Sequence, residues 1–239
     1  MRVEIIKCLS DNYSYILIDE KINQACVIDP SEADPIIKFI DTNKIDLKFI
    51  LNTHHHYDHV GGNEILRKKY KSDIVGYNGD KARIPGINIT VEDGEVWKQN
   101  NFEAKIIHIP GHTSGHICFY FFQEKIAFTG DTLFSLGCGK IFEGTYEQMY
   151  NSLNKLKELP KETKIYCGHE YTKKNYFFCV ENDPENEDLK KKGSHIDEKL
   201  KRKLPTIPST IQDELACNVF LRAKNVAEFS KLRDLKDNF

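Results

Sequence analysis

No two cysteines in this 239-residue chain are spaced as Cys-x-x-Cys, which argues against a thiolate metal knuckle. The seven that occur, at 8, 26, 118, 138, 167, 179 and 217, are odd in number and scattered. That argues against a disulfide framework and points to a reducing compartment. No apolar run approaches the roughly 18 residues that a membrane-spanning helix needs. The opening MRVEIIKCLS alternates like a strand, with no cationic-then-apolar leader and no transit-like segment. A soluble protein of the cytoplasm, off the membrane, is therefore expected. An excess of one charge is also missing: 34 basic and 36 acidic residues are interspersed, for a net charge of -2. No global field draws nucleic acid or an anionic surface, so an anionic partner has to be met by local cations. No internal repeat or low-complexity tract stands out.

What the chain does have is length for a sizeable core, with 40% hydrophobic residues. Up to about residue 170, short β-branched and aromatic runs such as VEIIKCL, YSYILID, KFILNT, HICFYFF and TKIYCGH read as strands. Helical spacing appears at about 34–43, 63–71 and 146–159. Strands outnumber helices and several adjoin directly, so the fold class is α+β, a mixed sheet or pair of sheets with helices outside. Beyond residue 172 the strand signal gives way to charged helical spacing, broken by PTIPST with an N-cap at Ser209 or Thr210. The expected division is 1–172 and 173–239.

The densest chemistry lies in LNTHHHYDHVGG, at 51–62. His54, His56, Asp58 and His59 follow an apolar strand and precede a glycine pair. Side chains at i and i+2 of a strand end point the same way, so His54 and His56 can share one metal while the turn aims Asp58 and His59 beside it. Four donors do not close two sites. His112, Asp131 and His169 each follow a strand and sit beside glycine, and complete a set of five imidazoles and two carboxylates for two borderline cations. His55, His108 and His195 read as non-ligands, and His116 either as one too or as a residue supporting the ligands from behind.

THHHYDH, with GHTSGH, FTGDTLF and CGHEY, resembles the metallo-β-lactamase superfamily. Within it, GCGKIFEGT, GHEYT, PTIPST and RDLKDNF look like segments of glyoxalase II, the hydroxyacylglutathione hydrolases, over essentially the whole chain. The resemblance implies an αββα sandwich followed by a small helical, glutathione-binding domain. It implies His54, His56 and His112 on one metal, Asp58, His59 and His169 on the other, and Asp131 bridging. The two divalent ions are expected to be zinc, with iron or manganese as alternatives. The implied reaction is hydrolysis of the small-molecule thioester S-D-lactoylglutathione by a metal-activated water, the step in methylglyoxal detoxification that releases D-lactate and glutathione.

The same resemblance places Lys140, Phe142, Tyr171, Arg222 and Lys224 against the substrate; Phe142 stands where the family often has tyrosine, and NVFLRAKN has Val219 where proline is usual. A monomer is expected. The competing readings are a mononuclear-iron persulfide dioxygenase of the same superfamily and a non-catalytic scaffold on this fold.

Overall fold

Eight consecutive residues, Asn12–Asp19, are all buried in one strand, which places it inside a sheet covered on both faces. The computed structural model describes Met1–Phe239. It divides into two compact units, Met1–His108 with Gly115–Glu124, and Ile109–Ser114 with Lys125–Phe239.

In the first unit β1 (Arg2–Cys8), β2 (Asn12–Asp19) and β3 (Gln24–Ile28) pair antiparallel. The parallel strands β4 (Asp46–Leu51), β5 (Asp73–Tyr77) and β6 (Ile89–Val91) extend the sheet from β3. Helices α1 (Asp34–Asn43) and α3 (Asn63–Tyr70) cover one face, burying Ile36, Ile40 and Leu66 against Ile16, Val27, Ile50 and Ile74. Between them the short α2 (Tyr57–Val60) follows the histidine run. Pro35 and Asp34 favour the start of α1, and left-handed Lys44 ends it with its N–H on the Asp41 carbonyl. A second, antiparallel layer is formed by β7 (Val96–Gln99), β8 (Phe102–His108) and β9 (Ile117–Phe121). Its Trp97 and Phe102 meet Phe49 of β4 edge-on at 5.2 and 6.2 Å, so aromatic packing joins the two layers.

In the second unit β10 (Ile126–Gly130) pairs parallel with β13 (Lys164–Cys167), and β13 antiparallel with β14 (Ser209–Thr210). The short hairpin β11 (Leu133–Phe134) and β12 (Gly137–Cys138) leaves β10. The helices are α4 (Tyr146–Lys157), α5 (Thr172–Asn182), α6 (Glu187–Lys201), α7 (Ile211–Cys217), α8 (Val219–Arg222) and α9 (Val226–Asp237). Thr145 with Gln148 and Thr210 with Asp213 form capping boxes at α4 and α7, each worth about 1 kcal/mol. The composition shift near 172 falls inside this unit, where β13 before it pairs with β14 beyond it. All seven cysteines are buried thiols. No helix is long and apolar enough to cross a membrane.

Candidate metal centre and ligand hollow

Parallel pairing of β3 with β4 sets Ile28 beside Leu51, so the next residues, Asp29 and Asn52-Thr53, leave the sheet together. Asp29 is held in a left-handed conformation (φ 48°) and accepts from Thr53 N–H at 2.7 Å, from the Thr53 hydroxyl at 2.6 Å and from His59 Nδ1 at 3.0 Å. A carboxylate only accepts, so the Thr53 hydroxyl proton points to Asp29 and its lone pair takes His54 Nδ1–H at 3.0 Å. One buried carboxylate thereby fixes two imidazoles in the tautomer that turns Nε2 outward as a ligand. His54, His59 and Asp29 have ligand-type atoms close together, yet both Asp29 oxygens already take N–H or O–H donors. Asp29 orients the two imidazoles. It had drawn no attention in the sequence, where only Val-Ile-Asp-Pro at a strand end marks it.

The rest of the run is equally constrained. His54 lies 4.8 Å from His56 and 4.2 Å from His59 between ring centres. Asn12 donates to Asp58 Oδ2 at 2.9 Å, and Asp58 Oδ2 is 3.7 Å from His59 Nε2. Buried His116 stacks on His54 at 4.6 Å. His55 turns the other way, to Asp80 at 3.3 Å; His108 ends β8 stacked on Tyr77, and His195 lies in α6. The first unit thus gathers His54, His56, Asp58 and His59.

The second unit gathers the other three. Buried Asp131 presents Oδ2 3.5 Å from His112 Nε2 and 3.3 Å from His169 Nε2. His112 Nδ1 donates to the Lys140 carbonyl at 2.7 Å, so in the neutral ring Nε2 carries the lone pair that faces Asp131. Separations of 3.3–3.5 Å match the edge of a tetrahedron, about 3.3–3.4 Å, whose ligands lie about 2.0–2.1 Å from a shared cation. The donor set fits a divalent metal. Gly139 is required here, because a Cβ would come within 1.8 Å of the Asp131 carbonyl oxygen.

Beside these donors lies a hollow of about 360 Å³ lined by Phe134, Cys138, Lys140, Tyr171, Lys174, Asn175, Arg233, Lys236 and Asp237. Tyr171 stacks on His169 at 4.7 Å, and Phe142, 61% exposed, meets His112 edge-on at 5.2 Å. Four cations stand against one carboxylate, local positive charge in a chain of net -2. Burial, then repulsion from Lys174 and Arg233, pushes the Lys236 ammonium down to about 8. Arg222 and Lys224, expected against the substrate, line a different hollow of about 250 Å³ with Asp183 and Glu228, and Arg222 is ion-paired to Asp183. Neither is among the residues around Lys140 and Tyr171. The cations found there are Arg233 and Lys236, three apart on α9 and therefore on one face.

Residues 11–169 match the model of the metallo-β-lactamase superfamily, and residues 170–239 that of the hydroxyacylglutathione hydrolase C-terminus. The chain is 65% identical over its whole length, and the relative's, to a hydroxyacylglutathione hydrolase of Pelagibacter ubique strain HTCC1062. It is 47% identical to one from Prochlorococcus marinus strain MIT 9301, over 97% of this chain and 94% of the relative. The chain belongs to the hydroxyacylglutathione hydrolase family of the metallo-β-lactamase superfamily. In fold it is similar to the crystal structure of ETHE1 from Myxococcus xanthus, with TM-score 0.75, 24% identity and coverage of 98% and 90%. It is similar also to the BLEG-1 B3 metallo-β-lactamase, with TM-score 0.72, 20% identity and coverage of 92% and 99%. The metallo-β-lactamase fold of α+β class expected from the sequence is thus the one found, and with the histidine and carboxylate clusters of this chain it supports divalent-metal binding.

Proposed function

We propose that this protein hydrolyses S-D-lactoylglutathione to D-lactate and glutathione, using two divalent cations, with zinc the first candidate and iron or manganese the alternatives. His54, His56 and His112 hold one ion, Asp58, His59 and His169 the other, and Asp131 serves both. One observation carries the reading: a set of nitrogen and oxygen donors accompanies a cation-lined hollow that shares its unit with Asp131, His112 and His169. The family and its C-terminal segment point the same way.

Bound there, divalent cations lower the pKa of water towards neutrality and polarise a carbonyl oxygen. The chain's own groups do the rest. Asp29, Thr53 and the Lys140 carbonyl keep imidazole protons on Nδ1, and Asn12 holds the Asp58 carboxylate. Lys140, Arg233 and Lys236 meet the carboxylate end of a glutathione moiety by charge-assisted hydrogen bonds, while Tyr171 and Phe134 give its peptide an aromatic wall. A thiolate leaves without a strong general acid, so Asp58 acts as ligand and orienter. Residues 173–239 are, in this reading, the substrate-binding region. Buried thiols suit the reducing cytoplasm, where the enzyme acts, in this reading, as a monomer.

The test is loss of thioester absorbance from S-D-lactoylglutathione, with metal content measured on the same sample. Chelator-sensitive turnover with about two ions per chain is expected. Oxygen uptake on glutathione persulfide with a single iron would instead establish the dioxygenase, and absence of stoichiometric metal the scaffold.

A further inference from the structure

The hairpin β11–β12 is a costly element. Its turn, Ser135-Leu136, puts leucine at φ 60°, a conformation that persists only where surroundings over-determine it. The surroundings are side chains of the helices. Glu214 Oε2 accepts from Leu136 N–H at 2.8 Å and from Asn218 Nδ2 at 2.9 Å. Asn218 Nδ2 also donates to the Gly137 carbonyl at 3.1 Å and faces that of Phe134 at 3.5 Å. Asn175 and Cys179 of α5 donate to the carbonyls of Ser135 and Leu136, and Arg233 of α9 to that of Cys138. Gly137 admits this clasp, since a Cβ there would meet Asn175 Nδ2 at 2.5 Å.

The hairpin separates two groups that the metal centre uses. On one side Asp131 precedes β11; on the other, Lys140 follows β12 and offers its carbonyl to His112. Gly139 N–H closes the segment on the Thr132 carbonyl at 3.1 Å. We propose that Glu214 and Asn218 are positioning residues for the metal centre, setting Asp131 and the orientation of His112 through the backbone of residues 131–140. Both are fully buried and far in sequence from every ligand. Asn218 opens the NVFLR segment, so that segment serves the hairpin and caps α8, where Asn218 Oδ1 takes Phe220 N–H at 3.0 Å. The inference rests on the proposed ligand set and on no particular substrate.

Asn218→Ser separates the two tasks, because serine caps a helix well and cannot donate to two carbonyls and Glu214. Glu214→Ala removes the acceptor for Leu136, and Glu214→Gln restores one. Affinity for Zn(II) is read by competition with a chromophoric chelator, and ligand geometry by the Co(II) absorption spectrum, with circular dichroism confirming the fold. Asn218→Ser and Glu214→Ala should lose about 10–100-fold in metal affinity, the range found when groups behind metal ligands are removed, with altered Co(II) bands. Among metal-saturated samples kcat should fall, and Glu214→Gln should recover both affinity and spectrum. Folded variants with wild-type affinity and spectrum would overturn the proposal. Should neither fold, Asn175→Ser, which removes the donor to Ser135, is read by zinc affinity and the Co(II) spectrum alone, because Asn175 also lines the hollow. A wild-type protein that binds metal yet leaves lactoylglutathione intact refutes the substrate and leaves this comparison standing.

Discussion

Two halves of the proposed site are built in opposite ways. The histidine run draws four donors from six consecutive residues at one strand end, 54–59, held by a buried carboxylate on the neighbouring strand end. The cation-lined hollow draws Lys140, Tyr171, Lys174, Arg233 and Lys236 from a loop and two helices more than 50 residues apart. Metal ligation demands several donors within about 2 Å of one point, which a strand end with period-two geometry delivers locally. An anionic peptide asks only for positive potential and a few donors, which any surface lysines near the right place provide. Contiguous geometry ought therefore to be brittle and dispersed charge graded.

The largest effect is expected at Asp131, whose Oδ2 faces both His112 and His169. Asp131→Ala should lower kcat by about 10³-fold or more, the several kcal/mol that correctly placed metal supplies, and halve the metal content. Metal analysis with steady-state kinetics decides it; near wild-type turnover would remove Asp131 from the centre. Next comes Asp29, which sequence reasoning passed over. Asp29→Ala frees Thr53 and two histidines at once, so zinc affinity should fall about 10–100-fold, whereas Asp80→Asn, behind the outward-facing His55, should leave it unchanged. Chelator competition on both variants separates orientation from mere proximity of charge.

The contrast also explains what was legible. The bounds of α1 match the expected 34–43 because proline and a left-handed stop punctuate it locally. The proposed donors stood out in sequence because His54, His56, Asp58 and His59 crowd one strand end and His112, Asp131 and His169 each follow a strand beside glycine. Asp29 did not, because its role comes from the parallel pairing of β3 with β4, a long-range fact that no local pattern carries. Sequence points to Arg222 and Lys224 and not to Arg233 and Lys236 for a similar reason. All four are cations in amphipathic helical sequence, and only packing shows that Arg222 pairs with Asp183 away from the hollow, while Arg233, paired with Asp237 and donating to the Cys138 carbonyl, lines it beside Lys236. Asn218 and Glu214 look like ordinary polar residues of a helix; burial alone separates them from the solvated glutamates around them.

The hollow is tested by a pair of substitutions. Lys236→Met should raise KM for the glutathione thioester about tenfold with kcat nearly unchanged, the loss of one charge-assisted hydrogen bond of about 1.5 kcal/mol made equally in ground and transition states. Arg222→Ala should leave KM within about twofold, since it breaks a partly exposed ion pair worth about 0–1 kcal/mol outside that hollow. The reverse ranking would return the carboxylate site to Arg222.

The smallest effect is a pH dependence. Burial first, then the nearby charges of Lys174 and Arg233, depress Lys236 to about 8, with Cys179 and Cys138 acting weakly in the opposite sense. A depressed ammonium is charged below pH 8 and neutral above it. An anionic substrate favours the charged form, so binding raises this pKa and takes up a proton as pH passes through 8. KM should therefore rise through about pH 8–9 while kcat stays flat, and in Lys236→Met this rise should vanish. A rise that survives the substitution would locate the titration elsewhere, and would show that the dispersed cations act as a summed field rather than through this one ammonium.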